Sequence, residues 1–248
     1  MNTIRSFIFI FVAAITLAAC KTKLNNDDSI TPALELYNSG VKKLEAGSYQ
    51  KAALEFERVF FQHPGNSLTP KAELMQAYSL YLDAEYDEVV DVLDVFVKLH
   101  PRHEYIAYAY YLKALANYTQ VSNVKLDQSR TRYAKSGLKE VITRFPSSKY
   151  AIDSALKIDL VNDHLAGKEM LVGRYYLKKN NPIAAISRFQ TVVDKYETTT
   201  HIVEALYRLV ESNLILGLKV EAEKYAGVLK HNYPDSQWHK YSNNLLTK

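Results

Sequence analysis

The chain has one cysteine, Cys20, among its 248 residues. A single thiol closes no disulfide within the chain, and a thiolate cluster around a metal is excluded on the same count. Glycine is sparse, and its eight copies are scattered. No glycine-rich loop is present to cradle a phosphate, and no Gly-x-Ser-x-Gly turn raises a serine nucleophile. An excess of charge of one sign is missing too, with 31 Lys and Arg against 27 Asp and Glu. These alternate along the expected helices as a solvated surface does, so the concentrated basic face that grips a phosphate backbone is absent and no nucleic-acid partner is expected. The nearest thing to a metal motif, His100-Pro101-Arg102-His103-Glu104, lacks the four-residue histidine spacing of helical zinc ligands and carries a proline between the two. Asp27 and Asp28 are adjacent but sit in a polar stretch near the amino terminus, and the other carboxylates lie among Lys and Arg. No acid-base pocket stands out. The expectation is a chain with no metal, no cofactor and no catalysis.

Long apolar runs are absent beyond the first residues. Arg5, the apolar stretch from Phe7 to Thr16 and the small-residue closure Leu17-Ala18-Ala19-Cys20 read as a secretory signal over residues 1–19. The stretch is too short to span a bilayer. Leu-Ala-Ala-Cys resembles the bacterial lipobox, which implies acylation of Cys20, palmitate included, and cleavage just before it. The two or three acyl chains of a lipoprotein hold it at a membrane essentially permanently, whereas one does not. Lys21 stands where Asp is the usual mark of inner-membrane retention, which implies the periplasmic face of the outer membrane. Residues 20–31 are polar and unpatterned, a lipidated tether reaching up to roughly 35 Å if extended.

What the rest of the chain has is a repeat. Gly40, Gly47, Tyr49, Ala52, Phe56, Val59 and Pro64 fall where a tetratricopeptide repeat of about 34 residues places its signature residues. Ala77, Ala84, Tyr86, Val89, Leu93, Phe96 and Pro101 occupy the same offsets one unit later. Ala134, Leu138, Val141 and Pro146 mark a third unit, stretched by an insertion whose loop falls at Val121 to Asp127. Gly173, Ala185, Phe189 and Val192 mark a fourth unit, and Gly217, Ala222, Leu229 and Pro234 a fifth. A small residue on the first helix lets the second approach closely, and an aromatic fills the gap left between them. One pair cannot bury its apolar face alone, so stacked neighbours share a continuous core. The expected fold is an all-α superhelical solenoid of about five tetratricopeptide-like pairs, with units one to three over 32–147 and a linking helix plus units four and five over 148–248. Thr31-Pro32 marks the first helix start, Gly47-Ser48 and Gly217 mark turns, and Tyr150 to Leu160 reads as an extra helix bridging units three and four. His63 and His100 precede helix-ending prolines, where an imidazolium favours the helix dipole.

Tyrosine is abundant, at nineteen. Tyr37, Tyr78, Tyr81, Tyr105 and Tyr108 are the candidates to line a groove formed by first helices, with plain packing as the alternative. Tyrosine suits a peptide groove because it offers a large rigid area and one hydroxyl.

The lipobox, the five units, the insertion in the third and the linking helix together resemble the BamD (ComL) family of outer-membrane protein assembly lipoproteins. The stretches that carry the likeness are Tyr37-Asn-Ser-Gly-Val, Tyr49-Gln-Lys-Ala-Ala, Pro101-Arg-His-Glu-Tyr-Ile-Ala-Tyr-Ala-Tyr-Tyr, Arg144-Phe-Pro-Ser-Ser-Lys-Tyr, Leu165-Ala-Gly-Lys-Glu and Arg174-Tyr-Tyr. The resemblance implies a subunit of the machinery that inserts β-barrel proteins. The amino-terminal repeats would meet unfolded barrel substrates, and the carboxy-terminal repeats would dock on the periplasmic POTRA domains of the barrel subunit, beside other assembly lipoproteins. It also implies that Arg188 pairs with an acidic residue of that partner. The chain departs from the family pattern at Asn180-Asn181-Pro182, in place of a Gly-aromatic turn, and at Tyr196-Glu197, where the helix-ending proline is missing. A secretin pilotin or a cell-division coordinator of the same architecture is the other reading.

Overall fold

The computed structural model describes residues 30–247. Cys20, the leader and the tether up to residue 29 lie outside the described residues. Residues 33–248 fall in one compact unit. Among the described residues there are eleven helices and no strand, arranged as antiparallel pairs. The pairs are α1 Ala33–Glu45 with α2 Tyr49–Gln62, α3 Thr69–Leu82 with α4 Tyr86–Leu99, α5 Ile106–Thr119 with α6 Ser129–Arg144, α7 Lys149–Lys178 with α8 Pro182–Lys195, and α9 Ile202–Ile215 with α10 Lys219–Asn232. A final helix, α11 Gln237–Leu246, follows the fifth pair.

The second helix of every pair turns the same face inward. Ala52, Phe56 and Val59 are buried in α2, as are Val89, Leu93 and Phe96 in α4, Ala134, Leu138 and Val141 in α6, Ala185, Phe189 and Val192 in α8, and Ala222, Ala226 and Leu229 in α10. The spacing of four and then three residues keeps each trio on one helical stripe. The small residue on the first helix has the role its position suggested. A Cβ on Gly40 would lie 2.7 Å from the Phe56 ring, and one on Gly173 would overlap the Phe189 ring. A Cβ on Gly137 would meet Ala114 Cβ at 2.9 Å, so in the third pair the second helix supplies the glycine.

Four of the five pairs are joined by the same turn. Gly47, Ala84, Asn180 and Gly217 each take positive φ, between 54° and 73°. The next amide reaches back five residues to a carbonyl: Ser48 to Lys43 at 2.9 Å, Glu85 to Leu80 at 3.0 Å, Asn181 to Tyr176 at 2.9 Å and Leu218 to Asn213 at 2.9 Å. This is the Schellman closure, which glycine adopts without steric penalty. Asn180-Asn181-Pro182 makes the same turn by another route, with Asn180 in the left-handed region and the Asn181 side chain capping α8 through Ala184 N at 3.2 Å. The turn that ends each pair is equally regular and does not need its proline. Asn66 N donates to His63 O at 3.0 Å, and Thr199 N donates to Tyr196 O at 3.0 Å although Glu197 follows.

Two elements differ from the sequence expectation. Tyr150 to Leu160 is not a separate bridging helix. It is the front of α7, which continues without a break into the first helix of unit four for 30 residues, a rod of about 45 Å. Ser148 caps it, its Oγ accepting from Ala151 N at 3.1 Å. At the far end α11 closes the last pair, with Trp238 and Leu246 packed on Ile202, Leu206 and Val210. Arg208 lies 5.8 Å from the Trp238 ring centroid. His100 also has a more specific partner than the helix dipole: its Nε2 stands 2.7 Å from Oε2 of Glu73, a carboxylate only 3% exposed.

Candidate recognition surfaces

Three of the five groove candidates meet at one place. Tyr78 on α3, Tyr105 at the α5 N-cap and Tyr108 on α5 line a cavity of about 350 Å³ together with Lys71, Leu74, Met75 and Tyr150. Tyr78 and Tyr105 are 36% and 46% exposed, so both are open to solvent at its mouth. Leu74 is buried and forms the apolar floor. Behind this mouth the tyrosines support one another. Tyr150 lies 5.7 Å from Tyr108 and stacks on Tyr111 at 5.1 Å. Tyr111 donates its hydroxyl to Asp153 Oδ2 at 2.5 Å, and Lys157 Nζ holds the same oxygen at 2.7 Å. Burial first, then the phenols of Tyr78, Tyr150 and Tyr81 nearby, pushes the Tyr108 phenol well above its ordinary value. It therefore stays a neutral donor across any physiological pH. The Asp153 carboxyl is held below its usual range, first by the Lys157 hydrogen bond and then by Tyr111.

The other two candidates sit apart from the mouth. Tyr37 meets the Phe56 ring edge-on at 5.4 Å, and Lys71 Nζ stands 5.4 Å from the Tyr37 centroid, so one lysine links Tyr37 to the cavity. Tyr81 turns to the core of the second pair, edge-on to Tyr86 at 5.5 Å, with its hydroxyl 3.1 Å from Thr119 Oγ1. Sequence reasoning missed Lys71, Met75 and Tyr150 as lining residues. Lys71 and Met75 had a usable signal, since they precede Tyr78 by seven and three positions and so share its helix face. Tyr150 had none, because it comes from a helix two pairs' length away in sequence.

Arg188 lies on α8 at a second, polar cavity of about 480 Å³. Its Nη1 donates to Glu169 Oε2 at 3.2 Å, and the side chain remains nearly half exposed. Lys125, Arg132 and Lys168 share the lining with Asp127, Glu169 and Tyr196. Two of these residues, Lys125 and Asp127, belong to the insertion of the third unit. Lys168 Nζ pins that loop by donating to the carbonyls of Lys125 and Leu126, each at 3.1 Å. The surface is cation-rich, which suits an acidic side chain.

Among the described residues no three His, Cys, Asp or Glu side chains stand close enough to hold a metal ion, and no helix is long and apolar enough to cross a membrane. Stacked helix pairs define a helical-repeat protein, which carries an aromatic cavity and, apart from it, a cation-rich one. The chain belongs to the YfiO family of outer membrane lipoproteins, whose model matches residues 30–229. It is 57% identical over 237 residues to the outer membrane protein assembly factor BamD of Rickettsia prowazekii, covering 96% of this chain and 94% of that one. It is 38% identical over 238 residues to the protein of the same name from Caulobacter vibrioides, covering 95% and 78%. Among solved structures it is similar to a thermophilic TPR protein of Thermus thermophilus, with a TM-score of 0.40 and 18% identity over 88% of this chain and all of that one.

Proposed function

We propose that this chain is a non-catalytic subunit of the machinery that assembles β-barrel proteins in the outer membrane, anchored at the periplasmic face through lipid on Cys20. The observation that carries the proposal is 57% identity, along nearly the whole of both chains, to a protein named as an outer membrane protein assembly factor. In this reading units one to three receive the unfolded barrel protein. The cavity between Tyr78, Tyr105 and Tyr108 takes an aromatic or aliphatic side chain of an extended segment, and the phenol hydroxyls bind its backbone. Units four and five dock on the POTRA domains of the barrel subunit, with Arg188 as the charged anchor and other assembly lipoproteins alongside. Binding is the whole of the work, since positioning an unfolded chain beside its insertase needs no bond made or broken.

The test is a mild-detergent pull-down of the full lipidated chain from outer membranes, comparing wild type with Arg188→Glu and with the pair Tyr78→Ala and Tyr105→Ala. Reversing a charge at a paired interface removes several kcal/mol, so Arg188→Glu loses the β-barrel partner by at least tenfold. The tyrosine variant keeps that partner and loses unfolded barrel substrate. Recovery of only secretin or cell-division proteins with the wild-type chain overturns the proposal.

A further inference from the structure

The front of α7 is apolar on two opposite sides. Ala151, Val161 and Leu165 are buried on one side, with Ile158 packed against the same cluster. At about 100° per residue, Ile152, Leu156 and Leu160 fall on the side facing away from that core. They are 69%, 67% and 64% exposed on three consecutive turns. A soluble helix ordinarily shows water a polar face, and one that is apolar all round is covered all round. The rear half of α7 obeys that rule because α8 packs on it through Gly173 and Phe189. The front half has no such cover within the described residues.

We propose that a second copy of this chain covers the stripe, front of α7 against front of α7, antiparallel about a twofold axis through Leu156. The stripe is complementary to itself in that register. Leu156 meets Leu156, Ile152 meets the other copy's Leu160, and Lys149 at one end meets Asp163 at the other, twice over. A twofold interface requires this reciprocity, each residue finding its counterpart on the same patch. Both end charges reach solvent, the Asp163 side chain at 41% exposure. Lys149 is exposed, with its ammonium 5.3 Å from the Tyr150 centroid. Asp163 uses Oδ1 for Thr200 N and Oγ1, while Oδ2 stands 3.8 Å from His201 Nε2. Asp159 lies at the edge of the stripe and stays in water. The three side chains expose on the order of 400 Å² per copy, at the size where an apolar patch on a monomer is commonly functional. Two such patches bury about 800 Å² in total, less than the roughly 1,200 Å² of a stable interface. The pairing is therefore weak in dilute solution and belongs to chains held at high local density on one membrane.

Disulfide trapping in outer membranes from cells making the full-length chain tests both the pairing and its register. Wild type, whose only cysteine is Cys20, sets the background, and Phe61→Cys, at a residue 70% exposed on α2, reports random collision. On mild oxidation Leu156→Cys gives a dimer by itself. Ile152→Cys and Leu160→Cys give a dimer only when produced together, and Lys149→Asp lowers the Leu156→Cys yield at least tenfold. Leu156→Cys that stays monomeric, that links no better than Phe61→Cys, or that links to a different protein overturns the proposal. None of these side chains is buried, so loss of fold does not account for a negative result.

Discussion

The same substitution, glycine to alanine, is expected to have opposite effects at two helical positions. Gly173 lies in the rear of α7, where an added Cβ would overlap three carbons of the Phe189 ring. That ring is fully buried among Ala166, Met170, Ala185 and Leu209, so it cannot swing out into water. Overpacking of a tight core costs about 1–3 kcal/mol, while alanine in a helix interior gains about 1 kcal/mol over glycine. Overlap with three ring carbons puts the cost at the upper end, about 2–3 kcal/mol, so the net is a loss of roughly 1–2 kcal/mol for Gly173→Ala. Gly227 on α10 has nothing within 4 Å of its built Cβ, so Gly227→Ala keeps only the propensity gain and stabilises by about 1 kcal/mol. Trimming the ring with Phe189→Leu makes room for the methyl. The double variant Gly173→Ala with Phe189→Leu is then less destabilised than the sum of its parts, by about 1–2 kcal/mol of coupling. Urea unfolding followed by helical circular dichroism measures all four variants. A Gly173→Ala chain as stable as wild type, or a cycle with no coupling, refutes the account of close packing between first and second helices.

Two further outcomes follow from the turns and the buried carboxylate. Ala84 holds φ at 64° in a turn where its counterparts are Gly47, Asn180 and Gly217, and a left-handed L residue costs about 1–2 kcal/mol. Ala84→Gly therefore stabilises by about 0.5–1 kcal/mol after the added freedom of the unfolded chain is counted, and denaturant unfolding that shows a loss instead refutes the strain. Burial is the largest influence on Glu73 and holds its carboxyl above the ordinary 4.5, against the opposing pull of His100. The folded chain then binds a proton that the unfolded chain has already released, so this group's contribution to stability is fully present below the unfolded value and is lost as pH rises through the folded one. Glu73→Gln flattens that stretch of the stability-against-pH curve, and an unchanged slope in thermal melts between pH 4 and 7 counts against it.

The buried trios of the second helices were readable because they recur. Ala52, Phe56 and Val59 mean little alone, but the same spacing at Ala185, Phe189 and Val192 marks a common packing rule. The turn at Ala84 was readable from its place opposite Gly47, although alanine is a poor resident of that conformation. The continuity of α7 was harder to read, because Gly167 and Gly173 look like interruptions when they are in fact close-contact sites inside one helix. Helix α11 has no sibling in the repeat, and the Pro234 before it looks like an ending. The tyrosine cavity was half readable. Tyr78, Tyr105 and Tyr108 stand out by density, but Tyr150 reaches them only because the first helices α3, α5 and α7 lie side by side along the stack. Tyr81 shares a helix with Tyr78 and faces the core, a distinction that composition does not carry.

Tyr150, in the wall of the aromatic cavity, and Glu169, the partner of Arg188, are residues of one unbroken helix. Nineteen positions at about 1.5 Å each set them roughly 28 Å apart along its axis. A hinge between the two halves of the solenoid would have to break that helix, which has no proline and whose glycines are wedged against neighbouring side chains. The chain is in this sense a gauge block: the aromatic cavity and the Arg188 surface stand at a set distance from each other, so two partners bound there at once would be spaced by the helix itself.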